Sequence, residues 1–282
     1  LRHPLALFLG VAFGLAYPLA TLVILAQRGV IPGAGLAARL GLDLERVAVL
    51  VTLLLGLLPA ALLVTALEGG RPAVRALFRR ALRWRVGPGW WLVVVAALPA
   101  LTIMIATVMG DAVRMPGAGT LARQVAAILV AFFLVNLWEE IAWAGFLQTR
   151  LERRRNFFVA ALLTALPFAA IHLPLQVIGG ETTAIGLVAA FVILAIFGFV
   201  IRALLGAARR GTGDSLLAVG LLHTFFNESN NQGGIAAAFL DGPNRQGAAL
   251  IATALLTVAL CVAMRRRLGR AYREELDAGG EA

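Results

Sequence analysis

Between Leu121 and Thr149 the chain reads LARQVAAILVAFFLVNLWEEIAWAGFLQT. A transmembrane helix takes about 20 mostly apolar residues, and this run is long enough, yet its later half holds two adjacent carboxylates, Glu139 and Glu140. An ionisable group inside a span costs about 3 kcal/mol on insertion scales, and such residues normally face the bundle interior and mark a functional path. The bland alternative is a helix-to-helix contact or an interfacial pair at the helix end.

The rest of the chain is of the same kind. Its 282 residues are 60% apolar and 14% charged, with a mean hydropathy of +0.87, whereas a soluble domain is about half apolar. Charged residues concentrate between the apolar runs, which leaves no room for a separate soluble domain, so residues 1–282 are expected to form a single all-α integral membrane domain. Scanning at span length gives eight candidates: Leu5 to Gln27, Val47 to Leu67, Trp90 to Val108, Leu121 to Thr149, Phe157 to Ile171, Thr183 to Leu205, Ser215 to Phe226 and Gly247 to Met264. The fifth and seventh are short, and seven spans with one re-entrant piece is the alternative. The opening LRHPLALFLGVAFGLAYPLA is read as a first span, since it is long for a signal sequence and has no convincing cleavage site.

The net charge of +10 comes from 25 basic residues, all arginine. They sit beside the apolar runs, so topology explains them better than a nucleic-acid partner. With both termini on the cytoplasmic side, nineteen arginines fall on inner segments and six on outer ones, as the positive-inside rule requires. The segment RPAVRALFRRALRWRVGPGWW, from Arg71, suits an interfacial amphipathic helix able to hold anionic lipid, or a solvated basic loop. The tail REELDAGGEA reads as frayed. Cys261 is the only cysteine, so no intrachain disulfide and no cysteine metal cluster can form. The absence of lysine and the wealth of Ala, Arg, Gly and Leu suggest a prokaryotic source with a GC-rich genome, and hence the inner (plasma) membrane.

Thirteen of the 15 acidic residues fall in predicted loops or tails, leaving Glu139 and Glu140 alone inside a span. Two of the three histidines, His172 and His223, also lie in or at the end of apolar segments. In HTFFN, His223 and Asn227 are spaced i, i+4 and share a helix face. In FAAIH, Phe168 would back the His172 imidazole in the same way, and Pro167 and Pro174 bracket the turn. Counting the helical rise from the inner boundary puts Glu139 at about 16 Å and His223 at about 13 Å, while His172 falls at about 24 Å, too deep for contact unless its helix starts low or tilts.

Taken in order, EEIAWAGF, FAAIH and HTFFN resemble the CAAX protease and bacteriocin-processing family of intramembrane peptidases, also called the Abi family, whose pattern is EExxxR, FxxxH and HxxxN or HxxxD. The match covers Glu139 to Asn227. The resemblance implies an eight-helix membrane endopeptidase whose hydrated site opens toward the cytosol, and no cofactor is expected. It further implies Glu139 as the base that activates water, His172 as its assistant, His223 and Asn227 as oxyanion donors, and Glu140 as the carboxylate that pairs with the motif arginine. That arginine is absent. Its position is Ala144, one turn from Glu140 on the same face, which leaves Glu140 to find another partner or to take up a proton. Arg150 is about 15 Å away along the helix, and Arg202, flanked by apolar residues on the sixth span, is the candidate surrogate.

Three other readings stay open on residues alone. Glu139, His172 and His223 are a conceivable zinc set; intramembrane Glu and His also form the relays of proton-coupled transporters; and a non-proteolytic relative would use the polar cluster as a binding cavity or scaffold. The expected substrate is a peptide or membrane protein, lipid-modified or not, met within the bilayer.

Overall fold

The computed structural model describes residues 1, 3–39, 41 and 43–269. Arg2, the tail from Arg273 and the frayed end expected there lie outside the described residues. Eight main helices appear where the apolar runs place them: α1 Pro4–Gln27, α2 Leu44–Ala81, α3 Pro88–Val108, α4 Ala118–Glu152, α5 Phe157–Ile178, α6 Ala184–Gly211, α7 Leu216–Asn230 and α8 Arg245–Ala263. All but α7 are long and apolar enough to cross a membrane. The structure therefore gives seven candidate spans rather than eight. At 15 residues, α7 is about 22 Å long, short of a hydrocarbon core of about 30 Å, and it lies among its neighbours with His223, Thr224 and Phe225 buried. The only strands among the described residues are a small antiparallel pair, Ala112–Val113 with Leu240–Asp241.

Local chemistry sets the helix ends. Asn156 caps α5 by accepting from the Val159 amide, Thr183 caps α6 through Gly186, and Ser215 caps α7 through Ala218, each satisfying an amide that the first turn leaves open. Pro174 interrupts α5 just after His172, splitting it into Phe157–Ile171 and Leu173–Ile178. Pro167, expected to bracket that turn, instead sits inside the first piece. A proline there removes one backbone donor, and the surrounding packing carries the helix through.

At Gly69 and Gly70, α2 leaves helical geometry, with φ of +63° at Gly70, a value glycine adopts without strain. Beyond this break, residues 71–81 form the arginine-rich helix. It is not a solvated loop: Leu77 and Ala81 are buried, and Arg80 donates to the Gly145 carbonyl, the Thr149 hydroxyl and Asp214.

The helix α4 is the axis of the fold, and every residue from Glu139 to Thr149 is buried. Trp143 and Phe146 pack on Phe8 of α1, with ring centroids 6.2 and 4.7 Å apart. Leu204, Leu205, Leu216 and Leu222 complete the core between α4, α6 and α7. Close approach to α7 rests on Gly220: a Cβ there would lie 3.0 Å from the Leu137 Cα. Small residues at such crossings let backbones meet. Three residues beyond each contact point come His223 and Glu140, so this crossing sets their separation.

Charges at the arginine-rich end are more deeply placed than their loop assignment implied. Glu152, Arg209 and Arg210 are buried, because α4 and α6 run a turn past their apolar stretches. Glu152 accepts from Arg209 at 2.7 Å, Arg210 at 2.8 Å and Gln148 at 3.1 Å. Glu68 and Glu228 also lie within helices rather than loops. Asp214, in the α6–α7 turn, accepts from Arg209 at 3.0 Å and from Arg80 at 2.8 Å. Burial alone would raise its pKa, but the Arg80 and Arg209 guanidiniums outweigh it and hold the carboxyl below the ordinary aspartate value.

Two outcomes follow from this packing. Gly220→Ala must push α7 from α4 and should lower stability by about 1–3 kcal/mol, measured as a fall in melting temperature in detergent. Asp214→Asn keeps a side chain that tolerates the positive φ of 72° at this position and removes the charge together with one of the two acceptor oxygens that face Arg80 and Arg209. It should lower stability at neutral pH by about 2 kcal/mol. A carboxyl with a lowered folded-state pKa contributes above its unfolded value, so the deficit relative to wild type should shrink as pH falls below about 4.

Candidate active site

The two glutamates stand at a change of winding. Residues Leu137–Glu140 make one α-turn between π-helical segments Phe132–Asn136 and Ile141–Gln148. Such widened turns concentrate at functional sites. The site expected at the end of a straight α-helix is thus built on a wider one, and the i, i+4 face drawn from Glu140 to Ala144 is not a strict α-helical face here.

From this turn the carboxylates go to different neighbours. Glu140 is fully buried and takes a two-pronged contact from Arg202 on α6, with Nη1 to Oε2 at 2.9 Å and Nη2 to Oε1 at 2.6 Å. His223 on α7 adds its Nδ1 at 2.8 Å to Oε1. A carboxylate oxygen paired with arginine accepts, so His223 Nδ1 carries the proton. Arg202 is fully buried as well, and its guanidinium lies over the Phe168 ring, 4.7 Å from the centroid.

Glu139 turns toward α5. Its Oε1 lies 4.0 Å from His172 Nε2 and accepts from the Trp143 indole at 3.3 Å, while its Oε2 is 3.9 Å from His223 Nδ1. His172 Nδ1 donates to the Phe168 carbonyl at 2.6 Å, so in the neutral ring Nε2 keeps its lone pair and aims it toward Glu139. Phe168 backs this imidazole as expected, with centroids 4.5 Å apart. The depth mismatch reckoned for His172 is absent from the structure: that count took each span as straight and starting in one plane.

A cavity of about 40 Å³ opens against Glu139 and His172, walled by Val49, Leu53 and Leu57 of α2 and Leu175 of α5. One water needs about 10–15 Å³ measured this way, so the space suits one or a few. Asn227 is nearby but engaged: its amide donates to Asn136 at 3.1 Å, and Asn136 donates to Thr224 at 3.0 Å.

All five residues singled out from the sequence, Glu139, Glu140, His172, His223 and Asn227, thus stand on neighbouring helices of one polar cluster. Two participants escaped sequence reasoning. Asn136 is an amide three residues before Glu139 in an apolar span, and Trp143 lies one turn after it; each has the spacing of a same-face neighbour, a signal too common to act on alone. The zinc alternative fits poorly. The His223 atom nearest Glu139 is bonded to Glu140, and among the described residues no group of three or more His, Cys, Asp or Glu side chains has metal-holding geometry.

Residues 121–228 match the family model described as type II CAAX prenyl endopeptidase Rce1-like. No curated protein matches the chain. The matched stretch runs from the start of α4 through α7 and contains every side chain of the polar cluster. The segment that builds the site is thus similar to the Rce1-like CAAX prenyl endopeptidases, in keeping with the resemblance that its three motifs carry.

Proposed function

We propose that the protein is an intramembrane endopeptidase of the CAAX-protease type, hydrolysing a peptide bond with a water activated by Glu139. The observation that carries this reading is the cavity shared by Glu139 and His172, whose facing atoms are 4.0 Å apart. That gap is too wide for a direct hydrogen bond and suits a water between them. Such a water gives one hydrogen bond to the carboxylate and the other to the imidazole lone pair. Glu139 takes the proton as the water oxygen attacks the scissile carbonyl, and returns it to the leaving amine.

Negative charge then gathers on the carbonyl oxygen. Asn227 spends one amide hydrogen on Asn136 and keeps the second for this oxygen. His223 directs Nδ1–H at Glu140, and the reacting form carries a second proton on Nε2, taken from solvent before attack and donated to this oxygen as a hydrogen bond, with the Glu140 carboxylate supporting the imidazolium. No serine or cysteine enters the cluster, so the reaction needs no covalent intermediate.

The remaining assignments belong to the same proposal. The arginine-rich end faces the cytosol, and the membrane is a prokaryotic inner (plasma) membrane. The cavity, walled by Val49 and Leu53 near the start of α2 and by Leu175 near the end of α5, lies toward the opposite helix ends and not on the cytosolic side that the resemblance implied. The substrate is a peptide or membrane protein, lipid-modified or not.

Purified protein should cleave members of a peptide library that includes prenylated and unprenylated C-termini. Glu139→Gln should lower kcat by about 1000-fold and His172→Ala by about 100-fold, the range for losing a general base and a water-orienting group. Equal silence of wild type and both variants on every peptide would overturn the proteolytic reading.

A further inference from the structure

Glu140 and Arg202 are both fully buried, and they come from helices distant in sequence. A carboxylate withdrawn from water keeps its charge only if paired and hydrogen-bonded. Among the described residues the cation bonded to it is Arg202, and the remaining strong contact is His223. One helical turn further along α4 there is no side chain to do this work. Ala144 has a methyl group, fully buried, and at Gly145 even an added Cβ would meet Leu216 at 2.7 Å and Leu77 at 3.1 Å.

We infer that Arg202 is a positioning residue for the reaction: from α6 it keeps Glu140 anionic and oriented, and through Glu140 it holds His223 with Nδ1 protonated. The inference rests on the proteolytic reading only for its kinetic arm. Three features make Arg202 specific to the task. Its two terminal nitrogens meet the two oxygens of Glu140 separately, at 2.9 and 2.6 Å, the fork geometry that lysine lacks. The Phe168 ring lies against the guanidinium, 4.7 Å from centroid to guanidinium carbon, and also packs on His172. The Arg202 carbonyl in turn accepts from Gln148, which is itself bonded to Glu152, so the backbone beneath the arginine is anchored to α4.

The inference fixes the sign of an otherwise ambiguous experiment. Because position 144 is buried and Glu140 is already paired, Ala144→Arg alone brings a second guanidinium into a filled core and should lower kcat by about 10-fold or more. Arg202→Ala should lower kcat by about 100-fold with KM changed by less than about twofold, as expected when an orienting carboxylate loses its hold on a catalytic imidazole. Combining Arg202→Ala with Ala144→Arg frees the volume and restores the charge from the other helix, and should recover at least about 10-fold of the loss. Arg202→Lys, which keeps charge without the fork, should be intermediate and serves as the folded comparison if Arg202→Ala unfolds. Recovery of melting temperature without recovery of kcat in the combined variant would reduce Arg202 to a structural role and overturn the inference. An unchanged kcat in Arg202→Ala would do the same.

The ¹⁵N imidazole spectrum of His223 supplies a readout independent of turnover. Wild type should show protonated Nδ1, Arg202→Lys a weakened signature, and the combined variant its return. If wild type cleaves nothing, the proteolytic reading falls and this spectrum alone decides the inference, which an Arg202→Lys spectrum identical to wild type would refute.

Discussion

The bonded pair of Arg202 and Glu140 sets the terms for the rest of the molecule. Withdrawing two ions from water carries a penalty of several kcal/mol each, and mutual attraction offsets it only with good geometry and further hydrogen bonds. Here the fork contact, the His223 imidazole and the Phe168 ring supply that geometry from four helices, α4 through α7. Losing either partner would strand a buried charge, a loss of about 3–5 kcal/mol. The pair therefore ties correct assembly of the bundle to the arrangement of the polar cluster.

A second ionic layer lies nearer the arginine-rich end, where Arg209 meets Glu152. Arg202 and Arg209 are seven residues apart, two turns along one face of α6, and Gln148 bridges the layers by donating to both the Arg202 carbonyl and Glu152. Asp214 and Arg80 extend the lower layer to the arginine-rich helix. That helix is seated on the backbone of Gly145 and the hydroxyl of Thr149 through Arg80, so it is tied directly to the lower part of α4. Lipid-facing surfaces such as the first half of α6, with Ile185, Val188 and Val192 exposed, carry none of this chemistry.

Much of this was legible in the sequence, and what was not has identifiable causes. Apolar runs announce their helices because lipid demands them, so the helix starts hold to within three residues, whereas α2, α5 and α6 run 14, 7 and 6 residues past their expected ends. Glu139, Glu140, His172 and His223 declare themselves because a titratable group in such a run needs a reason. Shortness of α7 was visible, but its interior position was not, since a helix shielded by neighbours needs no span length. Glu152, Arg209 and Arg210 were placed in loops because hydropathy treats a charge as a boundary, whereas in pairs they continue the helix. Winding was hidden altogether: nothing in IAWAGFLQ distinguishes a π-turn from an α-turn, and Pro167 looks like a helix end until the packing around it is known.

Where the arginine stands has a consequence for assembly. An arginine one turn along α4 would neutralise Glu140 within a single helix, before any tertiary contact exists. With the charge on α6, Glu140 is satisfied only once α4 and α6 have docked, and His223 gains an anionic partner only once α7 has closed on both. The small residues Ala144 and Gly145 that leave α4 without its own cation also admit Leu77 and Leu216 against its backbone, and the Gly145 carbonyl receives Arg80. Loss of a same-helix charge and gain of close packing are two sides of one local arrangement. The polar cluster is thus a property of the folded bundle and of no single helix within it.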